Sequence, residues 1–306
     1  MKFIKLVVLI LIGTGSYGYA CDVCGCSASN QYLGVLPQFY QHFVGFQYQY
    51  RSFNSVHPSA SVNLPDERSQ EYYNTMQIWG RYYVGNRYQF FAFLPYHNNI
   101  QTLNGTSIGN SGIGDISFLA NAVIIKADSN HHALKHSWLA GGGIKLPTGK
   151  YTGITMLDRE GLPNMQAGTG SFDFIANTNY TARYKMFGLN LDAAYTFTTP
   201  NKENYKYGNR LNTGLLAFYW FKKKSLSILP QVGFRYEYTL HDYDNYEKKW
   251  LNDQTGGYQS FATLGAQVYY KKVGVHATYN VPVSQSYAAG YVVAKQRIET
   301  GVLFLF

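Results

Sequence analysis

Cysteine and charge are scarce in this 306-residue chain. Its three cysteines, Cys21, Cys24 and Cys26, lie close together near the amino end, so any disulfide or thiolate site is confined to that stretch. Charged residues make up 14% of the chain, against about 25% in an average soluble domain. Beyond residue 20 no apolar run reaches the length of a transmembrane helix. These shortages argue against both an ordinary soluble domain and a helical membrane protein.

Enzyme signatures are also scarce. No His-Glu-x-x-His motif occurs, and the histidines at positions 42, 97, 241 and 276 lie in no recognisable nucleophile motif. The sequence therefore does not predict an enzyme.

The first twenty residues predict an export signal. Lys2 and Lys5 precede an apolar run of about eight residues, which is too short to span a bilayer, and Gly18-Tyr19-Ala20 resembles a cleavage site. We therefore divide the chain into a signal peptide (1–20), a Cys-containing periplasmic or plug segment (21–40) and a β-barrel (41–306).

Tyrosine and glycine are abundant, with 29 and 30 residues, and aromatic residues make up 17% of the chain. A composition rich in Tyr and Gly and poor in charge is typical of a β-protein whose surface faces something other than water. The formal net charge of +9 favours contact with anionic headgroups or anionic solutes over nucleic acid.

Apolar and polar residues alternate along nearly the whole chain after residue 40. In residues 258–270, Leu264, Val268 and Tyr270 fall on one face, while Gln259, Thr263 and Gln267 fall on the other. Twelve such segments are predicted strands, and an even number is typical of a bacterial outer-membrane barrel. They lie near residues 41–53, 71–84, 87–99, 113–126, 136–147, 170–184, 188–198, 208–221, 225–241, 257–270, 273–284 and 291–306.

The connections predict a transmembrane antiparallel up-and-down β-barrel, which is an all-β fold. Short turns such as Gly85-Asn86 and Lys271-Lys272 alternate with long polar loops such as 148–169, as in outer-membrane barrels. The connection 127–136 is the exception, because it is expected to be short and is not. Aromatic pairs beside the short turns predict an interfacial girdle. A soluble β-sandwich or solenoid is the alternative, but it leaves the girdle and the charged second face unexplained.

Alternation also predicts which charged side chains line the lumen. Charges of both signs on that face can pair across a narrow barrel, and their role is either structural or pore-lining. The predicted pore-lining residues are Arg51, Arg81, Asp115, Lys145, Asp173, Arg183, Asp192, Arg210, Arg235, Glu237, Lys295, Arg297 and Glu299.

Three motifs resemble those of the outer-membrane transporter family associated with the meta-cleavage pathway of phenol degradation. They are Gly-x-Gly-Asp at 112–115, Leu-Pro-Thr-Gly at 146–149 and Gly-Thr-Gly-Ser-x-Asp at 168–173. The resemblance covers the central third of the chain and implies a barrel that moves small, often hydrophobic compounds across the outer membrane. The same motifs also suit sharp strand entries and ends, where Gly and Pro are favoured.

The cysteine cluster leaves three alternatives open. A disulfide suits an oxidising periplasm but leaves one thiol over, three thiolates suit Cu(I) or Zn(II), and Cys21 is a lipidation candidate that lacks the usual upstream Leu. His131, His132 and His136 in the long 127–136 connection are a second candidate for metal binding.

The sequence thus predicts an integral outer-membrane channel or transporter for small molecules of unknown identity, hydrophobic or anionic, with no required cofactor. Its expected partners are outer-membrane lipid, a solute, and the barrel-assembly machinery through the aromatic carboxy-terminal strand. The alternative is a structural or copper-binding outer-membrane barrel with a Cys-rich amino-terminal site.

Overall fold

The computed structural model describes residues 41–57, 65–126, 134–151, 163–244, 248–252 and 254–306. The predicted signal peptide, the three cysteines, His131 and His132 therefore lie outside the described residues. No helix among the described residues is long and apolar enough to cross a membrane.

The described residues form seventeen strands and short 3-10 segments at Pro163–Met165 and Ala288–Gly290. The strands are β1 (Phe43–His57), β2 (Glu67–Val84), β3 (Tyr88–Leu103), β4 (Thr106–Ile113), β5 (Ser117–Ile125), β6 (Leu134–Lys145), β7 (Asp173–Tyr184), β8 (Phe187–Phe197), β9 (Tyr205–Lys206), β10 (Arg210–Tyr219), β11 (Phe221–Lys223), β12 (Leu226–Thr239), β13 (Tyr243–Asp244), β14 (Lys249–Trp250), β15 (Gly257–Tyr270), β16 (Val273–Tyr287) and β17 (Val292–Leu305).

Antiparallel pairing closes the sheet into a ring. β1 pairs with both β2 and β17, with Phe43 opposite Leu305, and β10 pairs with both β8 and β12. β4 and β5 both pair with β3 and together make one wall strand, and β11 continues β10 beside β12. The result is a closed barrel of twelve wall strands, which confirms the predicted fold class. The short strands β9, β13 and β14 form a separate three-stranded sheet.

The two faces of the wall have opposite chemistry. Ile78 and Leu264 point outward with 53% and 64% of their surface exposed, whereas the carboxylate residue Glu71 is fully buried inside. Apolar side chains outside and polar ones inside is the reverse of a soluble protein and is the pattern of a barrel whose outer surface contacts lipid. The outer wall also carries an aromatic girdle beside the short turns, including Tyr82, Tyr219 and Tyr270.

The fourth wall strand differs from the predicted segment 113–126. β3 continues to Leu103, and the chain reverses at Asn104-Gly105, where both residues have positive φ (50° and 81°). Asn-Gly is a favoured two-residue hairpin turn because both residues tolerate the left-handed region. β4 then runs back along β3, and a break at 114–116 separates it from β5. The wall at this position is therefore taller than the alternation indicated, and it is interrupted.

Lys295 corrects one pore-lining prediction. The pairing of β1 with β17 shifts register between Arg51 and Phe53, which face Arg297 and Ala294 respectively. Lys295 lies in the irregular stretch between those two partners and is exposed, whereas Arg297 and Glu299 are buried. Alternation across a β-bulge fails because one extra residue breaks the period of two.

The barrel interior is layered. An apolar layer fills the half towards the short turns, with contributions from strands all around the wall. It comprises Phe43, Trp79, Phe91, Phe93, Leu119, Leu139, Ile175, Leu216, Phe218, Leu229, Tyr269, Leu303 and Leu305. A smaller apolar cluster, which includes Phe53, Tyr73, Phe261 and Met165, lies towards the long loops. Charged and amide side chains occupy the interior around these two layers.

Candidate functional site

The barrel interior is the candidate site, because it is where the structure collects charged side chains away from lipid. Most of the predicted pore-lining residues are buried on the inner face, and Arg183 and Glu237 are half-buried there. The buried members are Arg51, Arg81, Asp115, Lys145, Asp173, Asp192, Arg210, Arg235, Arg297 and Glu299. Their distances to one another separate them into distinct groups.

The first group is a pair of bidentate ion pairs that join β12 to β17. Arg235 donates to both carboxylate oxygens of Glu299 at 2.7 and 3.0 Å, and Arg297 donates to both oxygens of Glu237 at 2.5 and 3.0 Å. Gln49 adds a hydrogen bond to Glu299 at 2.9 Å. In the wall β15 and β16 separate β12 from β17, so these side chains bridge part of the lumen. They therefore fill part of the barrel interior.

The second group is a cluster of hydrogen-bonded charged and hydroxyl side chains around Lys145, at the end of β6, which we name the knot. Its ammonium lies 2.6 Å from Asp173 Oδ2 and 3.2 Å from Asp115 Oδ2, and it also donates to the Thr169 hydroxyl. Asp115 accepts further hydrogen bonds from the Thr169 backbone N–H at 2.8 Å and hydroxyl at 2.6 Å. The Ser171 hydroxyl donates to Asp173 at 2.9 Å. Buried charges are tolerated when they are paired and hydrogen-bonded in this way.

The knot unites the three motifs on which the family resemblance rests. Asp115 ends the first motif, Lys145 immediately precedes the second, and Thr169 and Asp173 belong to the third. The backbones of the second and third motifs touch, because a Cβ on Gly168 would lie 2.7 Å from the Gly149 backbone. These residues therefore hold two chain segments together, which is a structural role.

The knot anchors a segment that enters the barrel. Residues 163–168, Pro-Asn-Met-Gln-Ala-Gly, are all buried, and we name residues 163–168 the inserted segment. Asn99 Nδ2 donates to the Met165 and Gln166 carbonyls at 3.2 and 3.3 Å, and Tyr207 donates to the Pro163 carbonyl at 3.1 Å. The sequence prediction treated this stretch as part of a long polar loop. Its lack of any charged residue was the one available signal.

A cluster above the barrel centres on Asp242, in the connection that follows β12. The Tyr205 hydroxyl and the Gly208 backbone N–H each donate to its carboxylate at 2.6 Å. Burial raises the pKa of Asp242 from 3.8 to about 6, although these two hydrogen bonds and the charge of Arg210 oppose the shift. Asp242 and Tyr205 thus join the outer three-stranded sheet to the start of β10.

This pKa predicts that the cluster loosens as the pH rises. Because the folded-state pKa of Asp242 is higher than its unfolded value, its contribution to stability is fully present below about pH 4 and is lost as the pH passes through 6. Hydrogen exchange at Tyr205 and Gly208, corrected for the intrinsic pH dependence, is expected to be at least about tenfold less protected at pH 7.5 than at pH 4.5. Asp242→Asn should remove this dependence, and protection that increases with pH would contradict it.

One stretch has the spacing of a hydrolase nucleophile motif, Gly105-Thr106-Ser107-Ile108-Gly109. It does not form the strand–turn–helix that such a motif requires, because it runs from the hairpin turn into β4. The Ser107 hydroxyl is exposed and lies 2.9 Å from that of Thr102 on the paired strand. This geometry is that of a surface hairpin.

The metal-site predictions fall mostly on residues that the structure does not describe. His136 is described, and its Nδ1 lies 2.5 Å from the Tyr180 hydroxyl. Within the described ranges, no group of three or more His, Cys, Asp or Glu residues is placed to hold a metal ion. The cysteine alternatives stay predictions.

Comparison with known proteins supports the fold. No protein-family model matches the chain and no curated protein matches it, so the resemblance to the phenol-pathway transporters is not confirmed. An outer membrane channel from Pseudomonas putida F1 is similar in structure, with a TM-score of 0.64 and 12% identity over 87% of this chain and 96% of the other. The transport unit of the autotransporter AIDA-I from Escherichia coli has a TM-score of 0.52 and 10% identity over 92% and 95%. With its lipid-facing outer wall, the chain is an integral barrel of the outer-membrane type.

Proposed function

We propose that this outer-membrane barrel is a channel for small solutes, and that the inserted segment and the interior ion pairs hold it closed. The observation that carries the proposal is the inserted segment itself, which is held inside the lumen by hydrogen bonds and by the packing of Met165. A barrel with a purely structural role needs no such segment inside its lumen. The similarity in fold to an outer membrane channel supports the same conclusion.

The interior favours polar or anionic solutes over cations in its upper half. Glu299 and Glu237 neutralise Arg235 and Arg297 there, whereas the guanidinium of Arg210 on the same inner face has no hydrogen-bond partner among the described residues. Towards the short turns a solute meets the apolar layer, which favours molecules that also tolerate an apolar contact. Small organic anions satisfy both requirements. We propose transport rather than catalysis as the role of this lumen.

Planar-bilayer recordings and vesicle uptake test the proposal directly. We expect the purified full-length protein to give small, intermittent conductance steps, because the lumen is filled until the inserted segment moves. Vesicles that contain it should admit small solutes and exclude sugars of oligosaccharide size. A protein that shows its folded, heat-modifiable gel band but neither conducts nor admits any solute would refute the channel.

A further inference from the structure

Arg210 differs from the other buried cations of the barrel interior. It lies at the start of β10 on the inner face and has 6% of its surface exposed. Among the described residues, none of its three guanidinium nitrogens has a hydrogen-bond partner, and no carboxylate lies within ion-pair distance. Lys145, Arg235 and Arg297, in contrast, are each paired with a carboxylate.

An unpaired buried guanidinium is costly, and its geometry indicates what would relieve that cost. The planar group presents N–H donors in a fork that matches two carboxylate oxygens. Thr196 on β8 and Thr239 on β12 are the direct neighbours of Arg210 in the sheet. Their side chains lie on the same face as Arg210 and add hydroxyl donors beside it. These donors suit the oxygens of an oxyanion.

The nearby acid limits the charge of that ligand. Asp242 lies close enough to Arg210 for the two charges to interact, and its carboxylate oxygens accept hydrogen bonds from Tyr205 and Gly208. It makes no hydrogen bond to the guanidinium of Arg210. Its charge repels a second negative charge at the same place, so a monoanion is favoured over a dianion such as phosphate.

A contact of the inserted segment lies three residues before Arg210. Tyr207 is fully buried and donates to the Pro163 carbonyl of that segment. The guanidinium nitrogens of Arg210 are themselves sealed from solvent, so the protein must open locally before a ligand reaches them.

We infer that Arg210 binds the carboxylate of a small organic monoanion inside the barrel. Only the role of Arg210 as the anion-selecting residue of the channel rests on the proposed function. Binding itself can be measured without transport.

Calorimetric titration of propionate into the purified full-length protein in detergent tests the site. We expect saturable binding that weakens at least about tenfold in Arg210→Met, and weaker binding of inorganic phosphate than of propionate. Arg183→Met is the matched control, because it removes an interior arginine at the opposite end of the barrel, and it should bind propionate like the wild type. Equal propionate affinity in the wild type and Arg210→Met, no binding to the wild type, or tighter binding of phosphate would each overturn the inference.

Thermal unfolding separates a ligand site from a structural arginine. Because the described residues offer Arg210 no hydrogen bond to lose, Arg210→Met should unfold at the wild-type temperature or above it, and propionate should stabilise only the wild type. A lower unfolding temperature for Arg210→Met in the absence of propionate would indicate a structural role and overturn the inference. Propionate binding by a barrel that does not conduct would keep the site and refute only the channel.

Discussion

Replacing Lys145 by methionine is expected to raise the conductance of the barrel and to destabilise it at the same time. The substitution removes the cation shared by Asp115 and Asp173 and leaves both carboxylates buried at the root of the inserted segment. Removing one partner of a buried ion pair costs about 3–5 kcal/mol in proteins. We expect the inserted segment to leave the lumen before the barrel unfolds, because its other contacts are hydrogen bonds and the packing of Met165, whereas continuous strand pairing holds the wall.

Two measurements on Lys145→Met check this result. Single-channel recordings should show longer and larger openings than the wild type, and the heat-modifiable band on gels should convert at a lower temperature. The matched control adds Asp115→Asn and Asp173→Asn to the same chain, which removes the unpaired charges. This triple variant should regain much of the lost stability. Wild-type conductance together with wild-type heat stability in Lys145→Met would show that the knot does not hold the inserted segment.

Breaking the Arg235–Glu299 pair is expected to have the second large effect. Both residues are almost fully buried and are joined by two charge-assisted hydrogen bonds. Glu299→Gln should lower the free energy of unfolding by about 3 kcal/mol, because it removes the carboxylate that Arg235 binds through two hydrogen bonds. Arg235→Met should cost a similar amount, because among the described residues the Glu299 carboxylate then keeps hydrogen bonds from Gln49 and Thr278 alone.

A double-mutant cycle in urea, with the protein refolded into lipid vesicles, measures the coupling. The combined variant Arg235→Met/Glu299→Gln should cost clearly less than the sum of the single variants, since neither charge is then left alone. Arg183→Met serves as a control, because Arg183 contacts Trp220 and the Lys185 carbonyl at the other end of the barrel and should add independently. Additive costs for Arg235 and Glu299 would mean that the pair contributes nothing beyond its separate side chains.

Alternation predicted the barrel because it depends only on which face of each strand meets lipid. Exposed Ile78 and Leu264 and buried Glu71 follow the period of two, and the wall accordingly has twelve strands. Alternation gave the wrong face for Lys295 because a β-bulge shifts the register locally and is not visible in the pattern of apolar and polar residues. Asn104-Gly105 is a favoured hairpin turn, but it lies between the predicted strands 87–99 and 113–126, so the hairpin it forms was not predicted.

The inserted segment could not be predicted by the same reasoning. Its burial comes from Asn99, Tyr73 and Tyr207, which lie on distant strands and a loop, and no periodicity relates them to residues 163–168. The three motifs were visible as separate strand edges. Their convergence on Lys145 is a property of the closed barrel, since it requires β5, β6 and β7 to end at the same place.

The apolar layer towards the short turns would make permeation through such a channel depend on how strongly each ion is hydrated. The side chains of Phe91, Leu216 and Leu305 offer no oxygen or nitrogen to replace the water around an ion. An ion that crosses this layer must therefore lose water, at a free-energy cost set by its own hydration. Weakly hydrated anions should therefore cross ahead of strongly hydrated anions of the same size. In a barrel arranged like this one, much of the selectivity comes from differences in hydration between ions, and the protein contributes an apolar layer that excludes water.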